Sequence, residues 1–148
     1  MGVSKIISGA QTGADRAGLD AALALGLDVG GWIPFGRRTD DGPLPLELMR
    51  RYKLKEHPSA GYPGRTEQNV RESDVTVLFG NMSSPGCRLT IKLCNRHAKP
   101  YLVNPLADEL RYWLGALPSV TLNVAGNRER TNPGIYDRTY AILLEALR

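Results

Sequence analysis

Ile6-Ile7-Ser8-Gly9-Ala10-Gln11-Thr12-Gly13-Ala14-Asp15-Arg16 is the stretch on which the fold of this chain turns. A short β-branched run stops at Ser8-Gly9, and a helix of small residues begins near Gly13. Glycine lets the chain turn sharply and lets a ligand come close to the backbone. The start of a helix leaves several N–H groups unpaired and carries partial positive charge. Strand, small polar loop and helix N-terminus together suit a phosphate or another oxyanion. Gln11 and Thr12 add donors, so Gly9, Gln11, Thr12, Gly13 and Arg16 are candidate ligand contacts. Neither GxGxxG nor GxxxxGK[ST] is present, so the mechanisms of those motifs do not transfer. An ordinary strand-to-helix turn, with Gly9 relieving strain, competes with the cradle, and these eleven residues do not separate the two. If the cradle holds, Gly13→Val should weaken binding of a phosphorylated ligand far more than it lowers the melting temperature.

Composition bounds what such a loop can serve. The chain has 148 residues, 42% hydrophobic and 23% charged, which suits one domain with a real core. No apolar run approaches membrane-spanning length, and the N-terminus lacks a secretory pattern. A cytoplasmic protein is expected. The net charge is +4, but Arg16, Arg37, Arg38, Arg65, Arg71, Arg88, Arg96, Arg128 and Arg130 fall mostly in or beside loops. A nucleic-acid surface more often sets its cations along one helix with interleaved aromatics, so a basic pocket for a small anion is the better reading. Cys87 and Cys94 on one helix would lie about 10 Å apart at ~1.5 Å per residue, too far for a disulfide. With only His57 and His97 besides, no zinc spacing exists.

Further along, strand and helix signals alternate. Strands are expected at 5–7, 28–32, 52–56 (an edge), 74–79, 100–103 and 120–124. Helices are expected at 14–25, 45–51, 65–73, 87–96 and 106–117, and a last one capped by Asn132 with Pro133 at its start. Residues 33–43 form a loop too long for a connector, and such loops are usually functional; Arg37 and Arg38 there offer planar forks for phosphate or carboxylate. In the helix from Arg65, Val70 is almost the only apolar residue, and Arg65 and Asn69 share a face. The loop Gly80-Asn81-Met82-Ser83-Ser84-Pro85-Gly86 repeats the logic of the first, and Ala125-Gly126-Asn127-Arg128 ends another strand. Alternation of this kind argues an α/β fold, a Rossmann-like three-layer sandwich with a mostly parallel sheet. Right-handed crossovers bring the strand-to-helix loops to one edge, where ligands bind. Arg65, Asn69, Ser83, Ser84, Gly86 and Arg128 therefore join the candidate contacts.

Ser8 to Arg16, with Gly31-Trp32-Ile33-Pro34-Phe35-Gly36-Arg37-Arg38 and Asp41-Gly42, resembles the molybdenum-cofactor carrier proteins, circularly permuted YpsA-like members of the SLOG superfamily. The likeness continues through Tyr62, Arg65-Thr66-Glu67, Asn69-Val70, Ser73-Asp74, Asn123 to Gly126, Arg128-Glu129 and Pro133 to Tyr136. It covers nearly the whole chain. The resemblance implies a Rossmann-like fold, a pterin-type or nucleotide-derived anionic ligand with molybdenum cofactor as cargo, and frequent oligomers. Family members show Gly-Gly-Thr or Gly-Gly-Ser where this chain reads Pro85-Gly86-Cys87. The related phosphoribohydrolases carry Pro-Gly-Gly-x-Gly-Thr and a glutamate soon after, whereas residues 85–96 contain no Asp or Glu.

Two functions remain in competition. One is a binding or carrier protein for a phosphorylated pterin or nucleotide, working as a dimer or tetramer. The other is a nucleotide-processing hydrolase using Asp15 or Glu67 as acid or base.

Overall fold

Residues 2–148 are described by a computed structural model, and strand and helix alternate through them. The elements are β1 (Val3–Ile7), α1 (Ala14–Ala24), β2 (Asp28–Ile33), α2 (Leu46–Arg51), β3 (Leu54–Glu56) and α3 (Tyr62–Glu72), then β4 (Val75–Phe79), α4 (Pro85–Arg96), β5 (Tyr101–Val103), α5 (Ala107–Gly115), β6 (Val120–Gly126) and α6 (Ile135–Leu147). The strands form one parallel sheet in the order β3-β2-β1-β6-β4-β5. β4 is buried along its whole length, as its unbroken apolar run requires of a strand covered on both faces.

The last strand in sequence is therefore central in space. β6 lies between β1 and β4, with Ile7 beside Asn123 and Phe79 beside Gly126. Consequently the loops that leave β1, β6 and β4 are neighbours. Helices α1, α5 and α6 pack together, while α3 packs on α4; right-handed crossovers put these two groups on opposite faces. The fold class read from the sequence is the one observed.

Several element ends differ from expectation. α3 begins at Tyr62, not Arg65, because Pro63 fits the first turn of a helix. α4 begins at Pro85, with the Ser84 hydroxyl accepting the Cys87 N–H. The final helix starts at Ile135, behind Gly134 in the left-handed region. Asn132 does not cap it. The Glu129 carboxylate accepts the Gly134 and Tyr136 N–H groups and supplies the negative charge a helix start favours. Cys87 and Cys94 are both buried and free.

A polar helix needs partners other than a greasy stripe, and α3 finds them through Asn69. Its side-chain oxygen accepts the Trp32 N–H at 2.8 Å, and its amide donates to the Trp32 carbonyl at 3.1 Å, which ties α3 to β2. Asn69→Leu leaves both backbone groups without their partner. The expected loss is about 2 kcal/mol, read in thermal denaturation as a fall of roughly 4–8 °C.

Candidate functional site

A cleft of about 270 Å³ opens at the carboxyl ends of β1, β6 and β4. Gly9 and Gln11 line it from the first loop, Asp15 from the first turn of α1, and Tyr62, Pro63, Arg65 and Asn69 from α3. Pro85, Gly86, Leu89 and Thr90 line it from α4, and Asn123, Gly126 and Arg128 from β6 and the loop after it. The three loops picked out in the sequence do meet.

Gly9 is needed there for space. A Cβ at that position would stand 1.5 Å from Nη1 of Arg65. The guanidinium thus occupies the place where any other side chain would begin, and from there it meets the Asp15 carboxylate at 3.4 Å. Both groups are buried. Burial pushes the Asp15 carboxyl above the usual carboxylate range, and the Arg65 charge and the Gln11 N–H partly offset that rise. The Nε of Arg65 is buried without an acceptor. Ala10, next in the loop, is buried with φ 61°, a conformation non-glycine residues adopt at a cost.

Tyr62 is the hub on the other wall. The guanidinium carbons of Arg38, Arg65 and Arg128 lie 5.0, 5.3 and 5.1 Å from its ring centroid, and Gln11 donates to its hydroxyl at 3.3 Å. Arg128 also pairs with Asp40 at 2.8 Å, and the Asp40 N–H in turn donates to Gln11. Side chains from four separate segments are thereby held to one rim.

Not every expected contact reaches this cleft. Gly9, Gln11, Arg65, Asn69, Gly86 and Arg128 line it. Thr12, Gly13 and Arg16 face a neighbouring groove that also holds Asp20, Asp40 and Asp41. Thr12 accepts the Glu129 N–H, and Arg16 pairs with Asp41. Gly13 serves packing, since at φ 86° a Cβ there would sit 2.3 Å from the Asn127 carbonyl oxygen and 2.8 Å from the Glu129 nitrogen. Arg37 donates to the Leu44 carbonyl inside its own loop, and Arg38 is the arginine that reaches Tyr62. Ser84 caps α4 and accepts from the Asn127 amide, while Ser83 is exposed beside it. Glu67 lies outside the cleft, paired with His97 at 2.7 Å and with Arg96 at the far end of α4.

Asn127 is what the sequence reading missed. Its side-chain oxygen accepts the Asn81 N–H, and its amide donates to the Asn81 carbonyl, the Ser84 hydroxyl and the Cys87 sulfur. One buried amide therefore joins the loop after β6 to the loop after β4. It also gives Cys87 a structural place under the loop, where burial pushes its thiol up. The three-way pairing of Asn127 depends on the central position of β6, which no local pattern discloses.

A parallel open sheet with a basic, loop-built cleft at its carboxyl edge defines a Rossmann-like α/β protein. Residues 6–147 match the profile of the Circularly permutated YpsA SLOG family, and the chain belongs to that family. A crystal structure described as a "Putative molybdenum carrier protein" from Syntrophus aciditrophicus SB superposes with a TM-score of 0.89. It is 35% identical, and the match covers 99% of this chain and 96% of that one. A comparison with curated proteins found no match. Among the described residues no helix is long and apolar enough to cross a membrane, and no group of His, Cys, Asp or Glu is placed to hold a metal ion.

Proposed function

We propose that this chain is a binding or carrier protein for a phosphorylated pterin or nucleotide-derived ligand, with the molybdenum cofactor as its cargo. The observation that carries the reading is the convergence of Arg38, Arg65 and Arg128 on the Tyr62 ring at the rim of the cleft. Guanidinium forks suit phosphate oxygens. The name of the solved relative supports the choice of cargo.

The hydrolytic alternative is carried by Asp15 alone, since Glu67 does not line the cleft. Oδ2 of Asp15 already accepts from Arg65 and from the Gln11 N–H, so that oxygen is taken up by the protein itself. Wild-type protein incubated with nucleoside monophosphates should release no free base. Steady release that disappears in Asp15→Asn would replace the carrier reading with the enzyme.

Gly86 offers the test of the cleft itself, because a Cβ there meets nothing within 4 Å. Gly86→Trp should fold normally and fill the cleft. Calorimetric titration with GMP should give binding to the wild type and at least ten-fold weaker binding to the variant. Equal binding to both proteins would move the site elsewhere.

We also propose a dimer or tetramer. Leu106 and Tyr112, at the start of and within α5, are 69% and 84% exposed, apolar surface that a subunit contact would cover. Sedimentation at micromolar concentration should show the oligomer, and a monomer would refute it.

A further inference from the structure

We propose that the ring of guanidiniums around Tyr62 is a clamp for a doubly charged phosphomonoester, so that the protein selects monoesters against phosphodiesters of the same base. This rests on the ligand-binding reading of the cleft and specifies which end of the ligand the rim recognises.

The geometry is unusual for surface arginines. Three guanidinium carbons within 5.0 to 5.3 Å of one centroid are kept within about 10 Å of one another, close to the screening length of physiological salt, so they repel. The quadrupole of the Tyr62 ring attracts each of them, but one ring does not neutralise three cations. Two carboxylates lie nearby. Asp15 is taken by Arg65, and Asp40 is shared between Arg128 and Arg130. Among the described residues Arg38 has only the Ala60 carbonyl and the ring. The three guanidiniums on the ring therefore face Asp15 and an Asp40 that is shared with Arg130, so the ring keeps between one and two uncompensated positive charges. A phosphomonoester above its second pKa of about 6 supplies up to two negative charges; a diester phosphate supplies one and leaves part of the ring's charge unmet.

Two further features fit an anion at this place. The buried Nε of Arg65 lacks an acceptor, so the side chain gains by turning toward one. Arg38 and Asp40 sit on the long 33–43 loop and Arg65 on α3, so an oxyanion between them would fasten that loop to the cleft. The remaining wall of Pro63, Pro85, Gly86 and Leu89 has no charge and suits a flat ring.

The test uses three probes at pH 8: GMP, cyclic 3′,5′-GMP, which keeps base and sugar but carries one charge, and inorganic pyrophosphate. Each is titrated calorimetrically into wild type, Arg38→Gln, Arg38→Lys and Tyr62→Leu, with melting temperatures recorded. Arg38 is exposed, so its variants should fold. GMP should bind the wild type about ten-fold or more tightly than cyclic GMP. Arg38→Gln should erase most of that preference, Arg38→Lys should retain part of it, and Tyr62→Leu should weaken GMP although it removes no charge.

If GMP and cyclic GMP bind equally and Arg38→Gln changes neither, the clamp is wrong while the cleft reading stands. If pyrophosphate binds in an Arg38-dependent way and GMP does not bind, the clamp stands and the nucleotide-type cargo falls. Binding of none of the three overturns both.

Discussion

Arg65→Met should lower the stability of the fold by about 3–5 kcal/mol at neutral pH, because it leaves the Asp15 carboxylate buried without its cation. For a chain of this length that is a fall in melting temperature of roughly 10 °C or more. The loss should depend on pH with a definite sign. Burial already holds the Asp15 pKa above its unfolded value of 3.8, so the folded state favours the proton, and stability declines as pH rises through the window above 3.8. Removing Arg65 raises the folded pKa further. The variant should therefore sit closest to wild type near pH 4 and furthest from it near pH 7. Adding Asp15→Asn to Arg65→Met should recover part of the loss, since the stranded charge is then gone. Chemical denaturation of the four proteins at the two pH values measures the coupling, and a cycle with no coupling would mean that the pair is not a unit.

Gly13→Val should be nearly as damaging, and the damage should fall on folding before binding. The backbone at Gly13 has φ 86°, and a Cβ would collide with the Asn127 carbonyl and the Glu129 nitrogen. Strained dihedrals cost about 1–3 kcal/mol, and forced backbone shifts add a similar amount. A loss of about 4 kcal/mol is expected, seen as a lowered melting temperature or as insoluble protein. The sequence alone suggested the opposite, a loss of affinity in a stable fold. A Gly13→Val protein that melts like wild type yet fails to bind GMP would restore that first reading.

That reversal marks what sequence could and could not disclose. The parallel α/β fold was legible because its signals are local: the apolar run at 75–79, the small-residue helix after Gly13, and glycine or proline at the element ends. The meeting of three loops followed from the handedness of crossovers. The assignment of individual side chains did not follow. Arg37 and Arg38 look alike in sequence, yet Arg37, left-handed at φ 55°, ties its own loop while Arg38 reaches Tyr62. Asn132 looks like a helix cap, but Glu129 reaches the same N–H groups first. Glu67 sits one turn or less from Arg65 and Asn69, yet its position on α3 turns it toward His97. Tyr62 stood in the recognised pattern without a role, because a ring shared by three arginines is a property of three segments brought together.

That a phosphorylated small molecule occupies the cleft is tested most directly by what the protein carries. Wild type and Gly86→Trp should be purified in parallel, denatured, and the released compounds identified by mass spectrometry. The wild type should release a phosphorylated pterin or nucleotide-type compound in near-stoichiometric amount, and the equally folded Gly86→Trp protein should release little or none. No phosphorylated compound from the wild type, or the same yield from both proteins, would contradict it.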